Sequence, residues 1–323
     1  MKKAFLLFIS IVFCQLGLSA KKLDSLSYTE HKEFYLHWDN DLFLFKDFYY
    51  TQGAFFYYVN PSLRKNPANH ILFRLKNADN YYGLGLIQEI YTPKDITDTL
   101  LNLVDRPYAG TLFLRSFSVS SNPKKLLKLT SQFDIGVMGP LAGAYQAQRY
   151  IHEWLDLGWP NGWDFQIENR PYINYNLQIE KGAILVPGKL DVMADTRLRI
   201  GNIHDDLKVG GKVRIGRLNN HFKGHFLSNK KYAEEKDLQA YLYGGFNLSA
   251  VLYNATLMGG IIPPGENHYF AFNEIENIVG EVYGGIFINY KFMGASARLN
   301  WKSKEFELGE KHGWGTVSVY FRL

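Results

Sequence analysis

Apolar and polar residues alternate along most of this chain, in short segments separated by turns. Successive side chains of a β-strand point to opposite faces, so a period of two produces one apolar face and one polar face. The clearest case lies near the C-terminus, where the two kinds alternate in the order Val317, Ser318, Val319, Tyr320, Phe321 and Arg322. The pattern predicts a chain built mainly from two-faced strands.

About a dozen such segments can be counted. Each is a predicted strand, and the loops that join them are of uneven length. The longest polar or Pro/Gly-containing stretches lie at 61–81, 93–107, 218–237 and 255–279. No internal repeat or linker divides the chain, which indicates one domain. The strands are predicted near 32–41, 49–60, 82–92, 110–120, 126–138, 169–185, 188–202, 206–217, 238–252, 280–291, 294–303 and 313–323.

Composition points to a membrane barrel. Aromatic residues make up 16% of the 323 residues, with 22 Tyr and 23 Phe, and the chain also contains 29 Gly. After the N-terminal segment, no apolar run approaches the roughly 20 residues that a membrane helix needs, which excludes a helical membrane protein. Aromatic-rich alternating strands are typical of a transmembrane antiparallel β-barrel, whose apolar side chains face lipid. A soluble β-sandwich and a periplasmic barrel are the alternatives, since their strands are two-faced as well.

The N-terminus has the pattern of a targeting segment. Lys2 and Lys3 precede an apolar run over residues 4–18, and Ser19-Ala20 supply the small residues before a cleavage site. We predict a signal peptide over residues 1–20 and a barrel over residues 21–323. The single cysteine falls in the signal peptide. Disulfides and thiol catalysis are therefore excluded in the mature chain, and the expected location is the bacterial outer membrane.

One short helix is predicted among the strands, at about 143–157. Gly139-Pro140 ends the preceding strand, because proline cannot continue a hydrogen-bonded ladder. Gln148 and His152 stand four residues apart and would share one face of this helix. The alternative is a plain surface helix with an exposed histidine, since histidine has both structural and functional roles.

Three motif clusters precede or surround this helix. Asn-Asp is followed by Tyr-Thr-x-Gly; Tyr-Thr-Pro is followed by Asp-Arg-Pro-Tyr-Ala-Gly; Gly-Pro and Gln-x-x-x-His are followed by Gly-Trp-x-x-Gln. In this order the motifs resemble those of the lipid A 3′-O-deacylases of the outer membrane, the LpxR family. The resemblance covers roughly residues 34–171, while the C-terminal half matches only as alternating strands.

The resemblance implies a barrel of about twelve strands, with an active site in the membrane-facing wall beside a short helix and a requirement for Ca²⁺. By position, the family's catalytic histidine falls on His152 and its glutamine on Gln148. The family's Asn-Asp pair falls on Asn40 and Asp41, which would be metal ligands, and its threonine at the start of a strand falls on Thr51.

Two positions depart from the family pattern. An acidic residue that follows the helix in the family is replaced by Gly158, and Asp156 or Glu153 are the candidates to compensate. A basic pair after the Tyr-Thr-Pro motif is not clearly reproduced, and Lys94 is the nearest candidate for a substrate contact. The complete set of metal ligands and the contacts to lipid phosphate therefore stay open.

The chemistry of the residues agrees with this interpretation. The chain has no Gly-x-Ser-x-Gly motif and no mature cysteine, which leaves a serine triad little support. A histidine that activates water beside a hard cation is simpler, because Asn40, Asp41 and Gln148 offer the oxygen atoms that Ca²⁺ prefers. Each residue also has a plain structural explanation: a strand-end turn for the Asn-Asp pair, an ordinary strand position for Thr51, and a loop lock for residues 106–108, which we favour there.

These observations predict a Ca²⁺-dependent ester hydrolase that removes a 3′-linked acyl chain from lipid A with water activated by His152. Two other classes remain open: a non-enzymatic, porin-like barrel, and another outer-membrane lipid hydrolase such as a phospholipase. The expected partners are lipopolysaccharide and the membrane, and we expect a monomer. The net charge of +5, with no block of like charges, gives no indication of nucleic-acid binding.

Overall fold

A computed structural model describes residues 32–44, 48–97, 104–225, 236–260 and 269–323. The predicted signal peptide lies outside these residues. Within them, no helix is both long enough and apolar enough to span a membrane.

Twelve antiparallel strands form a closed barrel in which each strand pairs with its neighbours in sequence and β1 also pairs with β12. The strand count, the antiparallel barrel and the single short helix beside it are confirmed. The helix α1 covers Ala144–Leu155, and a single helical turn, α2, covers Ala255–Met258. The strands are β1 (Glu33–Asn40), β2 (Tyr49–Val59), β3 (Asp79–Thr92), β4 (Ala109–Asn122), β5 (Leu127–Met138), β6 (Arg170–Val186), β7 (Leu190–Gly201), β8 (His204–Arg217), β9 (Leu238–Asn254), β10 (Ile278–Tyr290), β11 (Met293–Lys302) and β12 (His312–Arg322).

The barrel closes along the whole length of β1. Its register against β12 runs from Glu33 opposite Arg322 to Asn40 opposite Gly315. On its other side, β1 pairs with β2 from Glu33 opposite Val59 onward. The first strand therefore has no open edge, which is the condition for placing β-structure in a lipid bilayer.

The two faces of the wall differ as the alternation predicts. In β3, Leu86 on the outer face is 49% exposed, whereas Ile87 on the inner face is 0% exposed. Ion pairs line the inner face: Arg115 of β4 donates two hydrogen bonds to Asp134, its neighbour on β5, at 2.7 and 2.8 Å. Exposed apolar side chains cover the outer face of β9 and β10, among them Leu242, Phe246, Leu248, Val282, Ile286 and Ile288.

The two ends of the barrel carry different connections. At the end where β1 begins and β12 ends, three of the connections are the short turns 123–126, 187–189 and 291–292. The opposite end carries the loops 41–48, 93–108, 139–169, 255–277 and 303–311. Helix α1 lies in the longest of these loops, so this end holds the candidate residues.

Because β12 supplies half of the closing ladder, we expect a chain that lacks residues 312–323 to fail to form the barrel. The full mature chain, refolded in detergent, should migrate faster on gels when unboiled than when boiled, and the truncated chain should show no such shift. A circular dichroism spectrum of the full chain dominated by helix would contradict the barrel.

Candidate active site

Two glycines allow the chain to turn from β5 into helix α1. Gly139 has a φ of 110° and Gly143, the residue before the helix, a φ of 68°. Residues with a Cβ atom adopt this left-handed region at a cost, so glycine suits both positions. The Gly139 N–H donates to the Gly110 carbonyl of β4 at 2.8 Å. This bond ties the start of the loop to the wall.

Helix α1 rests on the outer face of β3 and β4. A Cβ atom added at Gly110 would lie 2.3 Å from the Ala144 Cβ, so only glycine allows this approach. Ala144 packs in one apolar cluster with Ile90, Tyr108 and Trp163. Ile90 shares its face of β3 with the exposed Leu86, which shows that the helix covers the outer surface of the wall.

The buried stripe of the helix contains Ala144, Gln148 and His152, all at most 3% exposed. The His152 Nδ1 lies 2.6 Å from the Gly158 carbonyl oxygen. A carbonyl only accepts hydrogen bonds, so Nδ1 carries the proton, and the neutral ring has its lone pair on Nε2. The contact fixes both the ring orientation and the tautomer.

This contact also bears on the departure at Gly158. Gly158 stands where the family resemblance implies an acidic residue, and it contacts His152 through its backbone oxygen. Glu153 and Asp156, the two candidates to compensate, are exposed. Asp156 ends the helix in a left-handed conformation, with a φ of 54°.

Gln148 lies one turn before His152 and is 2% exposed. Its Oε1 accepts a hydrogen bond from the Trp163 Nε1 at 2.7 Å. Because the indole is only a donor, this bond defines which end of the amide is oxygen. The Nε2 of Gln148 is buried and has no hydrogen-bond partner in the described part of the chain. A buried donor of this kind is costly to leave unsatisfied, which is a feature of functional sites.

The Asn-Asp pair reaches the same outer face from β1. Asn40 lies opposite Gln52 of β2, and Gln52 lies opposite Ile90 of β3. Ile90 in turn lies opposite Gly110, the residue of β4 under the helix. Neighbouring strands lie about 4.8 Å apart, so Asn40 and Ile90 are separated by roughly 10 Å. Asn40 is 2% exposed even though it faces outward. The register therefore aligns β1 with the seat of the helix.

Asn40 and Asp41 shape the turn that leaves β1. The Asn40 Oδ1 accepts a hydrogen bond from the Leu42 N–H at 2.8 Å, and the Asp41 Oδ2 accepts one from the Phe48 N–H at 2.7 Å. Asp41 is 1% exposed. Both residues thus have the turn role that was the structural alternative, and both are buried.

Thr51 lies at an irregularity in the β2–β3 register, between Tyr50 and Gln52. Its hydroxyl is 2.7 Å from that of Thr92, and both residues are buried. Thr92 belongs to the Tyr-Thr-Pro motif, so two motifs meet here. Sequence analysis did not select Thr92 as a site residue, although its motif was visible.

Lys94 lies in the loop that follows β3. Its ammonium pairs with the Glu310 carboxylate of the loop between β11 and β12, and both side chains are 54% exposed. The hydrogen bond and charge of Glu310 raise the pKa of Lys94 above its ordinary value. The predicted substrate contact of Lys94 has no test here and stays a prediction.

Arg106 ties together loops from distant parts of the chain. Its guanidinium donates to Glu305 at 2.8 Å and to Thr256 at 2.6 Å, and it lies 4.4 Å from the centre of the Tyr91 ring. Burial tends to raise the pKa of the Glu305 carboxyl, but Lys302 and Arg106 hold it below its usual range. This geometry supports the loop-lock interpretation over a catalytic one.

A metal site must draw on more than acidic and histidine side chains. In the described residues, no group of three or more His, Cys, Asp or Glu side chains gathers around a possible ion. Asn40 and Asp41 are consecutive, buried and oxygen-bearing, which is the type of donor that Ca²⁺ accepts together with backbone oxygens. These residues fit a hard cation better than Zn²⁺, which favours His and Cys.

The family model described as "Outer membrane protein LpxR" matches residues 5–323 of the chain. The chain belongs to the LpxR family. It is therefore a protein of the outer membrane, as its β-barrel and the sequence motifs predict. The resemblance seen in residues 34–171 thus extends over nearly the whole chain.

Solved structures agree with LpxR membership at the level of the fold. LpxR from Salmonella typhimurium is similar with a TM-score of 0.72 and 22% identity, over 90% of this chain and 99% of that one. The KdgM porin matches with a TM-score of 0.38 and 7% identity over 90% and 98% of the two chains, a similarity too low to bear on function. No curated protein matches the chain.

We expect Gly110→Ala to displace helix α1 and lower activity about 10²-fold while the barrel stays closed, because a shift near 1 Å at a reacting group has this effect. Deacylation of lipid A and heat-modifiable migration would be measured together. Adding Ala144→Gly should restore activity, since it removes the clashing Cβ. Gly280→Ala is the matched control, because a Cβ there meets nothing within 4 Å. Normal activity of the single Gly110→Ala variant would contradict this seat for the helix.

Proposed function

We propose that this protein removes a 3′-linked acyl chain from lipid A, with His152 as the base that activates water. Membership of the LpxR family supports the general class of activity, that of an outer-membrane lipid A deacylase. One arrangement supports the proposed roles. His152 is oriented by Gly158, and one turn away on the same buried stripe the Gln148 Nε2 has no hydrogen-bond partner among the described residues.

The protein groups suit ester hydrolysis. The Nε2 of His152 takes a proton from water as the water oxygen attacks the acyl carbonyl. The Nε2–H of Gln148 donates to the oxygen on which negative charge develops. The protonated imidazole then gives its proton to the departing sugar oxygen, which releases a fatty acid and leaves a hydroxyl on the sugar. The hydrogen-bonded hydroxyls of Thr51 and Thr92 join β2 to β3, two residues along β3 from Ile90, which packs with Ala144 of the helix.

The position of the site suits a lipid substrate. The helix covers the outer face of the wall, next to exposed apolar residues such as Leu86 and Leu114. Five of the six connections at this end have eight or more residues, whereas three of the five at the opposite end have four or fewer. In bacterial barrels the end with the longer loops is extracellular. Lipid A acyl chains in the outer leaflet would therefore reach the helix along the apolar wall, without passing through the lumen.

We also propose that Asn40 and Asp41 hold Ca²⁺ with additional oxygen atoms. The ion, when bound, would supply Lewis-acid stabilisation of the ester carbonyl. Asp41 is buried at the end of β1, where a carboxylate needs compensating donors or positive charge. The chemistry and the burial of this pair are what support the proposal.

We predict that His152→Ala lowers the rate of lipid A deacylation by roughly 10²–10⁴, the range for loss of a general base. His152→Asn should behave alike, because an amide cannot take the proton. His70→Ala, at an exposed histidine, is the control. Mass spectrometry of lipid A identifies the chain removed, and glycerophospholipid supplied in parallel tests the phospholipase alternative. A wild-type rate in His152→Ala would remove the histidine from the mechanism.

We expect a chelator to abolish deacylation and added Ca²⁺ to restore it better than Mg²⁺, which requires tighter octahedral geometry. Ca²⁺ should also raise the thermal unfolding temperature of the wild type, a readout independent of activity. Asp41→Asn should weaken both effects, whereas Asp164→Asn, at an exposed carboxylate, should leave them intact. Full activity in excess chelator would rule out the metal.

A further inference from the structure

A second element lies on the outside of the barrel, nearer than helix α1 to the opposite end of β4. The segment 61–78 between β2 and β3, here called the outer belt, crosses the outer face of β4, β5 and β6. The Asn66 amide donates to Ser116, and the Phe73 N–H to Ser131. The Tyr175 hydroxyl donates to the Ile71 carbonyl at 3.0 Å.

The wall under the belt is polar where lipid-facing residues are normally apolar. Ser118 and Ser131 share their strand faces with the exposed Leu114 and Ile135, yet both serines are 0% exposed. Leu72 of the belt is 0% exposed as well. The belt is thus a fixed part of the outer surface and takes the place of lipid along this section of the wall.

The belt carries only basic charges. It contains Arg64, Lys65, His70, Arg74 and Lys76 and has no Asp or Glu. Lys65, His70, Ile71 and Lys76 are exposed. Exposed cations beside an exposed apolar side chain are typical of a surface at the boundary between lipid tails and head groups.

Three further lysines adjoin the C-terminal end of the belt. The Asn122 amide donates to the Asn77 carbonyl at 2.9 Å, which places the turn with Lys124 and Lys125 beside Lys76. The Lys181 ammonium donates to the Lys125 carbonyl. In the described part of the chain, none of these four lysines forms an ion pair. Lys76, Lys124, Lys125 and Lys181 are called the lysine patch.

Lys181 gives the most direct evidence for the environment of the patch. By alternation it shares the outer face of β6 with Ile179 and with Ile173, which is 46% exposed. A lysine on a lipid-facing stripe extends its ammonium toward the head-group layer. The patch also lies at the end where three of the five connections have four or fewer residues, and in bacterial barrels the end with the short turns faces the periplasm.

We propose that the outer belt and the lysine patch bind the anionic head groups of glycerophospholipids in the periplasmic leaflet. Unpaired ammonium groups next to apolar wall match a phosphate group attached to acyl chains. The site is separate from the deacylase site: it lies at the opposite end of the barrel and would hold lipid from the opposite leaflet. It depends on the outer-membrane location and is independent of the reaction at His152.

The test uses the full mature protein in detergent. Native mass spectrometry measures how much phosphatidylglycerol the protein retains, compared with phosphatidylcholine that has the same acyl chains. We expect the wild type to retain phosphatidylglycerol preferentially. The triple variant Lys76→Gln, Lys124→Gln, Lys181→Gln should weaken this retention roughly tenfold or more. The same positions changed to Arg should keep it.

The matched control removes three charges elsewhere, with Lys291→Gln, Lys304→Gln and Lys311→Gln, and should retain the lipid as the wild type does. Heat-modifiable migration verifies that each variant is folded. Equal retention of phosphatidylcholine, unchanged retention by the triple Gln variant, or full competition by inorganic phosphate would each overturn the proposal. Lipid A deacylation by the triple Gln variant should be unchanged. The lipid-binding proposal and the proposed role of His152 can therefore be refuted independently.

Discussion

Closure of the barrel is the constraint on which the rest of the structure depends. A strand in lipid has no water to satisfy its backbone groups, so the ladder between β1 and β12 must be complete. That ladder fixes the register of β1 against β12, and a second ladder fixes it against β2. Because the Asn40-Asp41 pair lies at the end of β1, the ladders through β2 and β3 decide its level on the wall relative to helix α1.

The helix shows how a small residue in one strand can organise chemistry on another element. With no side chain at Gly110, Ala144 approaches the wall closely, and the buried stripe of the helix turns inward. His152 and Gln148 lie on that stripe, and each is oriented by a group that follows the helix: the Gly158 carbonyl and the Trp163 indole. The chain segment after the helix is therefore as important to the site as the helix itself.

The outer face of the barrel is covered at two levels. Near one end, helix α1 covers β3 and β4; near the other, the outer belt covers the serines of β4 and β5. In β4, Leu112 and Leu114 lie between Gly110 and Ser116, so the uncovered apolar stripe is short on this side. On β9 and β10, the apolar face continues along the strands. The side of the barrel that carries the candidate site thus leaves the shorter apolar stripe open to lipid.

The sequence by itself determined the strand number, the barrel class and the position of the helix, because a period of two and the Gly139-Pro140 break are local signals. It also selected His152, Gln148, Asn40, Asp41 and Thr51, by their order along the chain. Their roles as base, metal ligands and site threonine are still predictions.

Only the tertiary structure decided which groups meet. The Gly158 carbonyl on His152, Thr92 beside Thr51, and the outer belt over Ser118 and Ser131 join residues whose contact leaves no periodic signal. The serines show the reason most clearly. Alternation assigns them to the lipid face of β4 and β5, and only the path of a distant loop shows that they are covered, because a strand pattern records which face a residue occupies and not what lies against it.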